Sequence, residues 1–274
     1  IEELLSKGIE KMIKLIATDM DGTWLNDDKD YDRELFKREF QEMHKRDIKF
    51  VVASGNQYAN LMTRFPDVID QIYFVAENGA LVAQGKQILH VDALSDDLYQ
   101  TLLKITDEYD YPVIVMGLVS AYVKKSNDPA YIQEMKKYVE HLEVVDSFDE
   151  IDDRIFKISL TVPEDKMPVV LEQLKQKYPE IGFVSGAADS IDMQTKGMNK
   201  AVGLEYLGKK LGIKPNEMVA FGDSGNDVGM LNYAGRSYAT ATALKEAKMA
   251  ADQIIGSSNE SAVQKEILRL LDLN

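Results

Sequence analysis

"KLIATDMDGT", Lys14–Thr23, runs an apolar segment into two acids spaced one residue apart, Asp19 and Asp21, followed by Gly22 and Thr23. Ile13–Thr18 reads as a strand buried on both faces, because a short unbroken apolar run bounded by turn residues suits a parallel sheet. In extended backbone, residues i and i+2 point to the same side, so Asp19 and Asp21 are expected to face one place. Two like charges held close are unfavourable unless one is protonated or a cation lies between them. A bare Asp-x-Asp also suits a helix N-cap or an Asx turn. The added glycine, which permits a tight turn, and the threonine hydroxyl make this instance narrower.

The same pattern recurs along the chain. Residues 31–46 carry Leu35, Phe36, Phe40 and Met43 at helical spacing, and "DIKFVVASGN" (Asp47–Asn56) is a second buried strand ending in small polar residues. A short helix at Tyr58–Phe65 and a third strand at Ile72–Ala80 follow. Later, Gly197–Ile213 reads as a helix with Asn199 as N-cap and Gly212 just past its end. "EMVAFGDSGND" (Glu217–Asp227) is a further buried strand ending in acids, and Ser261–Leu273 is a closing amphipathic helix. Between Lys86 and Asp189 the character changes. Strands at Pro112–Gly117, Ala121–Lys125 and Arg154–Val162 are more polar, and the alternation in "FKISLTV" suits a sheet with one covered face. Helices are expected at Asp96–Tyr109, Asp128–Glu140 and Glu164–Tyr178. The fold class is therefore α/β, with a Rossmann-like parallel-sheet core (residues 12–85 and 190–274) and an inserted α+β domain (86–189). The chain starts with Ile rather than Met, and residues 1–11 read as an N-terminal extension without a catalytic role.

Composition narrows the function. The 274 residues are 45% hydrophobic, enough for a sizeable core, and carry a formal net charge of −14. That balance argues against nucleic acid as a partner, since phosphate backbones are held by clustered Lys and Arg. An anionic ligand would need a local cation to overcome the general field. There are no cysteines, which excludes disulfides, thiolate metal sites and cysteine nucleophiles and suits the cytoplasm. No apolar run approaches membrane-spanning length and no secretory signal pattern is found, so no membrane partner is expected; protein partners stay undefined.

Four constellations carry chemistry. In the first, one of Asp19 and Asp21 can attack an electrophile while the other protonates a leaving group and then activates water. In the second, "GDSGND" (Gly222–Asp227) ends a buried strand in acids, so Asp19, Asp21, Asp223 and Asp227 would converge at strand C-termini, where open parallel sheets bind ligands. Carboxylates without His or Cys suit Mg²⁺. In the third, the Ser54 hydroxyl and the Gly55 amide form a natural phosphate cradle, although an ordinary loop is also served by these residues. In the fourth, Lys200 stands in the first turn of its helix against the helix dipole, as a residue aimed at an anion would. His44, His90 and His141 follow no strand end beside an acid and read as surface or structural residues. Trp24 packs under the insert or stiffens the turn, and the sequence leaves both open.

Taken in order, "DMDGT" (Asp19–Thr23), "ASGN" (Ala53–Asn56), Lys200 and "GDSGND" resemble the haloacid-dehalogenase superfamily. "ENGA" (Glu77–Ala80) and the position of the insert resemble its Cof-type branch of sugar and organic phosphatases. The resemblance implies a nucleophile at Asp19 that becomes aspartyl-phosphate, a general acid/base at Asp21 and a Thr23 that positions Asp21. It implies phosphoryl binding by Ser54 and Lys200, with Met20, Gly55, Asn56 and Asn226 as further phosphate or substrate positions. Mg²⁺ would be held by the Asp19 carboxylate, the Asp21 carbonyl and the Asp223 carboxylate, with Asp227 supporting its water shell. The insert would be a mobile cap that excludes water and selects the leaving group, with Met116–Tyr122 and Ser185–Ser190 as contact loops. Many relatives carry Arg where this chain has Asn56, which removes a positive contact and favours neutral sugar alcohols as leaving groups. The expectation is a cytoplasmic, Mg²⁺-dependent phosphatase of small phosphorylated metabolites, sugar phosphates first and flavin mononucleotide next. A phosphomutase or phosphotransferase is the alternative, and a phospho-accepting signalling module the remote one.

Overall fold

A computed structural model of the protein describes residues 13–187 and 189–273, so the expected N-terminal extension lies outside the described residues. The chain divides into two compact units: one runs to His90 and resumes at Asn199, and the other is Val91–Met198. In the first unit β1 (Leu15–Thr18), α1 (Arg33–Lys45), β2 (Lys49–Ala53), α2 (Tyr58–Met62) and β3 (Tyr73–Ala76) follow the expected alternation. β4 (Leu81–Gln84) then returns antiparallel to β3, and β5 (Gln87–Val91) pairs beside it. The expected third strand at 72–80 is therefore broken. Glu77, Asn78 and Gly79 all have positive φ (51°, 55° and 104°), and the turn they make reverses the chain. Asn-Gly is a residue pair that such a reversal favours.

The second unit contains α3 (Asp96–Thr106), β6 (Val113–Gly117), β7 (Ala121–Lys124), α4 (Pro129–Tyr138), β8 (Leu142–Val145), β9 (Ile155–Thr161), α5 (Met167–Lys177), β10 (Gly182–Ala187) and β11 (Ser190–Gln194). Among the described residues these strands form a six-stranded sheet, ordered β10-β11-β9-β6-β7-β8. Val115, Ile158, Leu160, Ile191 and Met193 pack on one face with Leu102 and Ile105 of α3 and Leu174 of α5. The sequence suggested one covered face, but Tyr131 of α4 also packs on Ile114, Met116, Ala121 and Val123. On the same face, in register with Ile114 and Met116, lies a buried ion pair: Lys157 Nζ is 2.8 Å from Asp192 Oδ2, and Ser159 donates to Asp192 Oδ1 at 2.6 Å. Of the two expected loops, Ser185–Ser190 is mostly strand. In the other, Asp153 Oδ2 accepts the Val119 amide (2.9 Å), the Ser120 amide (3.3 Å) and the Tyr122 hydroxyl (3.0 Å).

The chain returns to the first unit through α6 (Lys200–Leu211), β12 (Met218–Gly222), α7 (Val228–Tyr233), β13 (Arg236–Ala239), α8 (Lys245–Ala250), β14 (Gln253–Ile254) and α9 (Ala262–Leu270). Its sheet has eight strands among the described residues, ordered β14-β13-β12-β1-β2-β3-β4-β5. The units part after His90 and Met198 rather than after residues 85 and 189, because β5 extends the first sheet and β11 pairs with β9 in the second. Parallel register sets Thr18 beside Phe221 on one side and beside Val52 on the other, so three strands deliver their C-terminal loops to one edge. One face packs Leu15, Ala17, Val51, Met218 and Ala220 against Leu204 and Leu207 of α6. Elsewhere in the unit Trp24, fully buried, meets Tyr31, Phe36, Phe50 and Phe65 with ring centroids 5.2–6.2 Å apart. Trp24 therefore stiffens its own unit, and burying each such side chain stabilises by roughly 1.5–3 kcal/mol. Among the described residues no helix is long and apolar enough to cross a membrane.

Helix α1 buries Phe36, Phe40 and Met43 as expected, but Glu39 lies on the same face, fully buried. Neither of its carboxylate oxygens has a hydrogen-bond partner among the described residues. Burial, with a smaller contribution from Asp32, pushes its carboxyl well above the usual range. An acid that is neutral when folded and ionised when unfolded contributes stability present at low pH and lost as pH rises above its unfolded value, about 4.3. Glu39→Gln is thus expected to raise Tm near neutral pH by at least about 2 °C, the scale of 1 kcal/mol for a chain of this size. At pH 4 it should change little, and thermal melts with equal pH slopes for both proteins would contradict this account.

Candidate active site

The ladder between β1 and β12 continues one residue past β1, where the Asp19 amide donates to the Phe221 carbonyl at 3.0 Å. The chain then turns at once. The Met20 carbonyl accepts the amides of Thr23, Trp24 and Leu25 at 3.3, 3.0 and 2.8 Å. Gly22 makes the turn possible with φ 81°, and a Cβ there would stand 2.5 Å from Asp223 Oδ2. Because extended geometry ends at Asp19, the two acids enter different surroundings. Asp19 is buried, whereas the Asp21 side chain is 46% exposed.

Lys200, the first residue of α6, follows the Asn199 cap, whose Oδ1 accepts the Ala201 amide at 2.9 Å. It is fully buried, with Nζ 2.5 Å from Asp19 Oδ1 and 2.6 Å from Asp227 Oδ1. Burial alone would lower its pKa, but the charges of Asp19 and Asp227 outweigh that and keep it protonated. The other oxygen of Asp227 accepts the amides of Asp223 (2.9 Å) and Ser224 (3.0 Å), which folds "GDSGND" back on itself. Close packing holds the helix start in place: a Cβ at Gly79 would be 2.2 Å from the Asn199 carbonyl oxygen.

Asp19, Asp223 and Asp227 each offer a carboxylate oxygen, all within 4.8 Å of one another. Two like charges at that distance repel by about 3–4 kcal/mol at an effective dielectric near 20. Three carboxylates against the one ammonium of Lys200 leave two negative charges uncompensated. The protonation behaviour shows the strain. Burial raises Asp19 well above the ordinary carboxylate value, Lys200 opposes, and Asp227 and Asp223 add to the rise. Burial, then the charge of Asp227, pushes Asp223 up to about 6. A hard, all-oxygen donor set short of two positive charges fits Mg²⁺.

The remaining expected residues fall around this centre, with some changed roles. The Thr23 hydroxyl donates to Asp223 Oδ1 at 2.8 Å and not to Asp21, because the Gly22 turn carries it toward β12. Ser54 is buried, and its Oγ accepts the Asn56 amide at 3.1 Å. Asn56 donates its side-chain amide to Asp21 Oδ2 at 2.9 Å. Asn226 accepts the Ser224 hydroxyl at 2.6 Å and donates to Asn78 Oδ1 at 3.1 Å. His44 and His141 are exposed, and His90 stacks on Tyr206 at 4.5 Å.

Sequence reasoning missed Lys29. Its backbone is left-handed (φ 59°), its carbonyl accepts Arg64 Nη1 at 3.0 Å, and its Nζ lies 2.6 Å from Asp21 Oδ1. Burial would raise Asp21, but hydrogen bonds from Lys29 and Asn56 and the charges of Lys29 and Arg64 bring it below the usual value. A positive charge from another loop thus stands on Asp21, the same carboxylate that Asn56 meets. The signal was present, since Lys29 is the lone cation in the acidic run "NDDKD".

Asp223 is protonated more readily folded than unfolded, so it contributes stability present at low pH and lost as pH rises through about 6. Asp19 acts in the same sense. The metal-free protein is therefore expected to lose Tm between about pH 4 and pH 6.5, and Asp223→Asn should flatten that fall. Thermal melts across this range that show no difference in slope would refute the assignment.

Residues 16–267 match the family model described as haloacid dehalogenase-like hydrolase. The 5-amino-6-(5-phospho-D-ribitylamino)uracil phosphatase YbjI of Escherichia coli (strain K12) is 40% identical over 262 residues, covering 94% of this chain and 96% of that protein. The crystal structure of SMU.1108c from Streptococcus mutans UA159 superposes with a TM-score of 0.88 at 34% identity, covering 95% of this chain and 99% of that one. The sugar phosphatase BT4131, described as HAD subclass IIB, shares the fold with a TM-score of 0.80 at 20% identity. Matched along nearly its whole length in sequence and in fold, the chain belongs to the haloacid dehalogenase-like hydrolases and is a phosphoric monoester hydrolase of that family.

Proposed function

We propose that the chain is a Mg²⁺-dependent phosphatase that hydrolyses small phosphorylated polyols and sugars through an aspartyl-phosphate on Asp19. The observation that carries this is the acid cluster, in which Lys200 holds one oxygen of Asp19 while two negative charges stay uncompensated. Asp19 and Asp223, with the Asp21 carbonyl, would hold the metal, and Asp227, whose oxygens are taken by Lys200 and backbone amides, supports from behind. When bound, Mg²⁺ supplies charge stabilisation for the phosphoryl oxygens.

The first step forms a bond from Asp19 to phosphorus and breaks the bond to the leaving oxygen, which takes a proton from Asp21. In the second step water attacks phosphorus, Asp21 takes the water proton, and Asp19 is released. Lys29 and Asn56 favour the carboxylate form of Asp21 that this second step needs. Ser54, the Gly55 amide, Asn226 and Lys200 surround the transferring group, so the protein's contribution is mainly placement and charge. The second unit chooses the leaving group. Several relatives are named as phosphatases of a 5-phosphoribityl-amino-uracil, which supports a phosphorylated ribityl chain as the first substrate to test. Flavin mononucleotide carries the same kind of chain and comes next, with simple sugar phosphates.

Phosphate release from such a panel is expected to stop with EDTA and return with Mg²⁺. Asp19→Asn should lower kcat by at least about three orders of magnitude. Asp21→Asn should slow alkyl phosphates far more than p-nitrophenyl phosphate, whose leaving group departs without a proton. Wild-type turnover indifferent to EDTA would sink the metal, and a uniform effect of Asp21→Asn on kcat/KM, which reports the first step alone, would remove its acid role.

A further inference from the structure

The segment Val75–Gly79 meets the Ser54–Asn56 loop, the Gly222–Asp227 loop and the start of the helix that carries Lys200. The Ser54 amide donates to the Val75 carbonyl (2.9 Å), the Asn78 amide to the Ser54 carbonyl (3.1 Å), and the Glu77 amide to the Asn56 carbonyl (3.4 Å). Gly79 packs on the Asn199 carbonyl at the start of the helix that carries Lys200. One side chain of the turn reaches further. Asn78 is buried, and its Oδ1 accepts Asn226 Nδ2 at 3.1 Å. The same oxygen lies 2.8 Å from where a Cβ on Gly55 would be. The Asn78 amide group therefore sits between the Ser54–Asn56 loop and the Gly222–Asp227 loop.

We propose that Asn78 is a positioning residue for phosphoryl transfer, fixing Asn226 against the Ser54–Asn56 loop so that both present their donors to one phosphoryl group. This rests on the phosphatase reading above. Asn226 is held at both ends, its Oδ1 by the Ser224 hydroxyl and its Nδ2 by Asn78, and Nδ2 has a second hydrogen to offer an anion. Without Asn78 the amide of Asn226 keeps only its Ser224 contact and is free to swing. The backbone separates this role from turn-making. Asn78 is left-handed (φ 55°, ψ 31°), a conformation that glycine adopts more readily than asparagine. A residue serving the turn alone is replaceable by glycine, whereas a residue serving Asn226 is not.

Asn78→Gly separates the two. It is expected to keep or raise Tm while lowering kcat/KM for p-nitrophenyl phosphate roughly tenfold, the scale of one well-placed hydrogen bond at a reacting group. Asn226→Ala should also lower kcat/KM, and the double variant should be no worse than Asn226→Ala alone within about twofold, because residues acting through one another are not additive. Wild-type kcat/KM in Asn78→Gly, or losses that multiply in the double variant, overturns the proposal. Should Asn78→Gly lower Tm, the same cycle still reads the coupling. A wild-type protein that releases phosphate from no ester would instead overturn the phosphatase reading, so the two failures are distinguishable.

Discussion

The buried ammonium of Lys200 is the interaction on which the site depends. An unpaired charge with no exposure would be far too costly, so its place in the fold exists only because Asp19 and Asp227 meet it. Each of the three comes from a different element: the end of β1, the loop after β12 and the first turn of α6. Removing the lysine would leave buried carboxylates facing one another, a loss of about 3–5 kcal/mol by analogy with other broken buried pairs. The pairing thus locks the loops together and, by satisfying only part of the negative charge, leaves room for a divalent ion. On the proposed reading, stability and cation affinity are set by the same imbalance.

The two acids that follow β1 stand in different surroundings. Burial and neighbouring carboxylates raise Asp19, whereas Lys29, Asn56 and the charge of Arg64 lower Asp21. Two chemically identical side chains two residues apart therefore titrate in opposite directions, a pattern that commonly accompanies separate duties in catalysis. The separation is made by the backbone. Had the chain stayed extended through Gly22, both carboxylates would have faced one environment.

Much of this was legible in the sequence. Strand-then-acid at Asp19 and Asp223, the cap-then-lysine at Asn199–Lys200 and the small residues at Ser54–Asn56 are local patterns with local causes, and they survive folding because each ends a buried strand or starts a helix. What was not legible depends on partners distant in sequence. Thr23 lies two residues from Asp21 in sequence but bonds Asp223, two hundred residues away. Lys29 reaches Asp21 only because its loop adopts a left-handed backbone at that residue. Asn78 was visible as part of "ENGA", yet the apolar run before it concealed a reversal, so β4 and β5 were not expected and the first unit extends further than the sequence suggested. In the second unit, the alternation of β9 suggested an open face, but periodicity in one strand cannot report a helix packed on its neighbours.

The central position of β1 has a consequence for how the protein is made. β1 pairs with β2 soon after both emerge from the ribosome, but its other neighbour, β12, begins only at Met218. During most of synthesis the growing sheet therefore carries a bare, apolar hydrogen-bonding edge where β12 will sit, the kind of edge that recruits wrong partners. The second unit is completed in that interval, and its pairings are internal, so it can fold while the first waits. Chemical competence and protection of that edge arrive together, late, when Gly222–Asp227 docks beside Asp19.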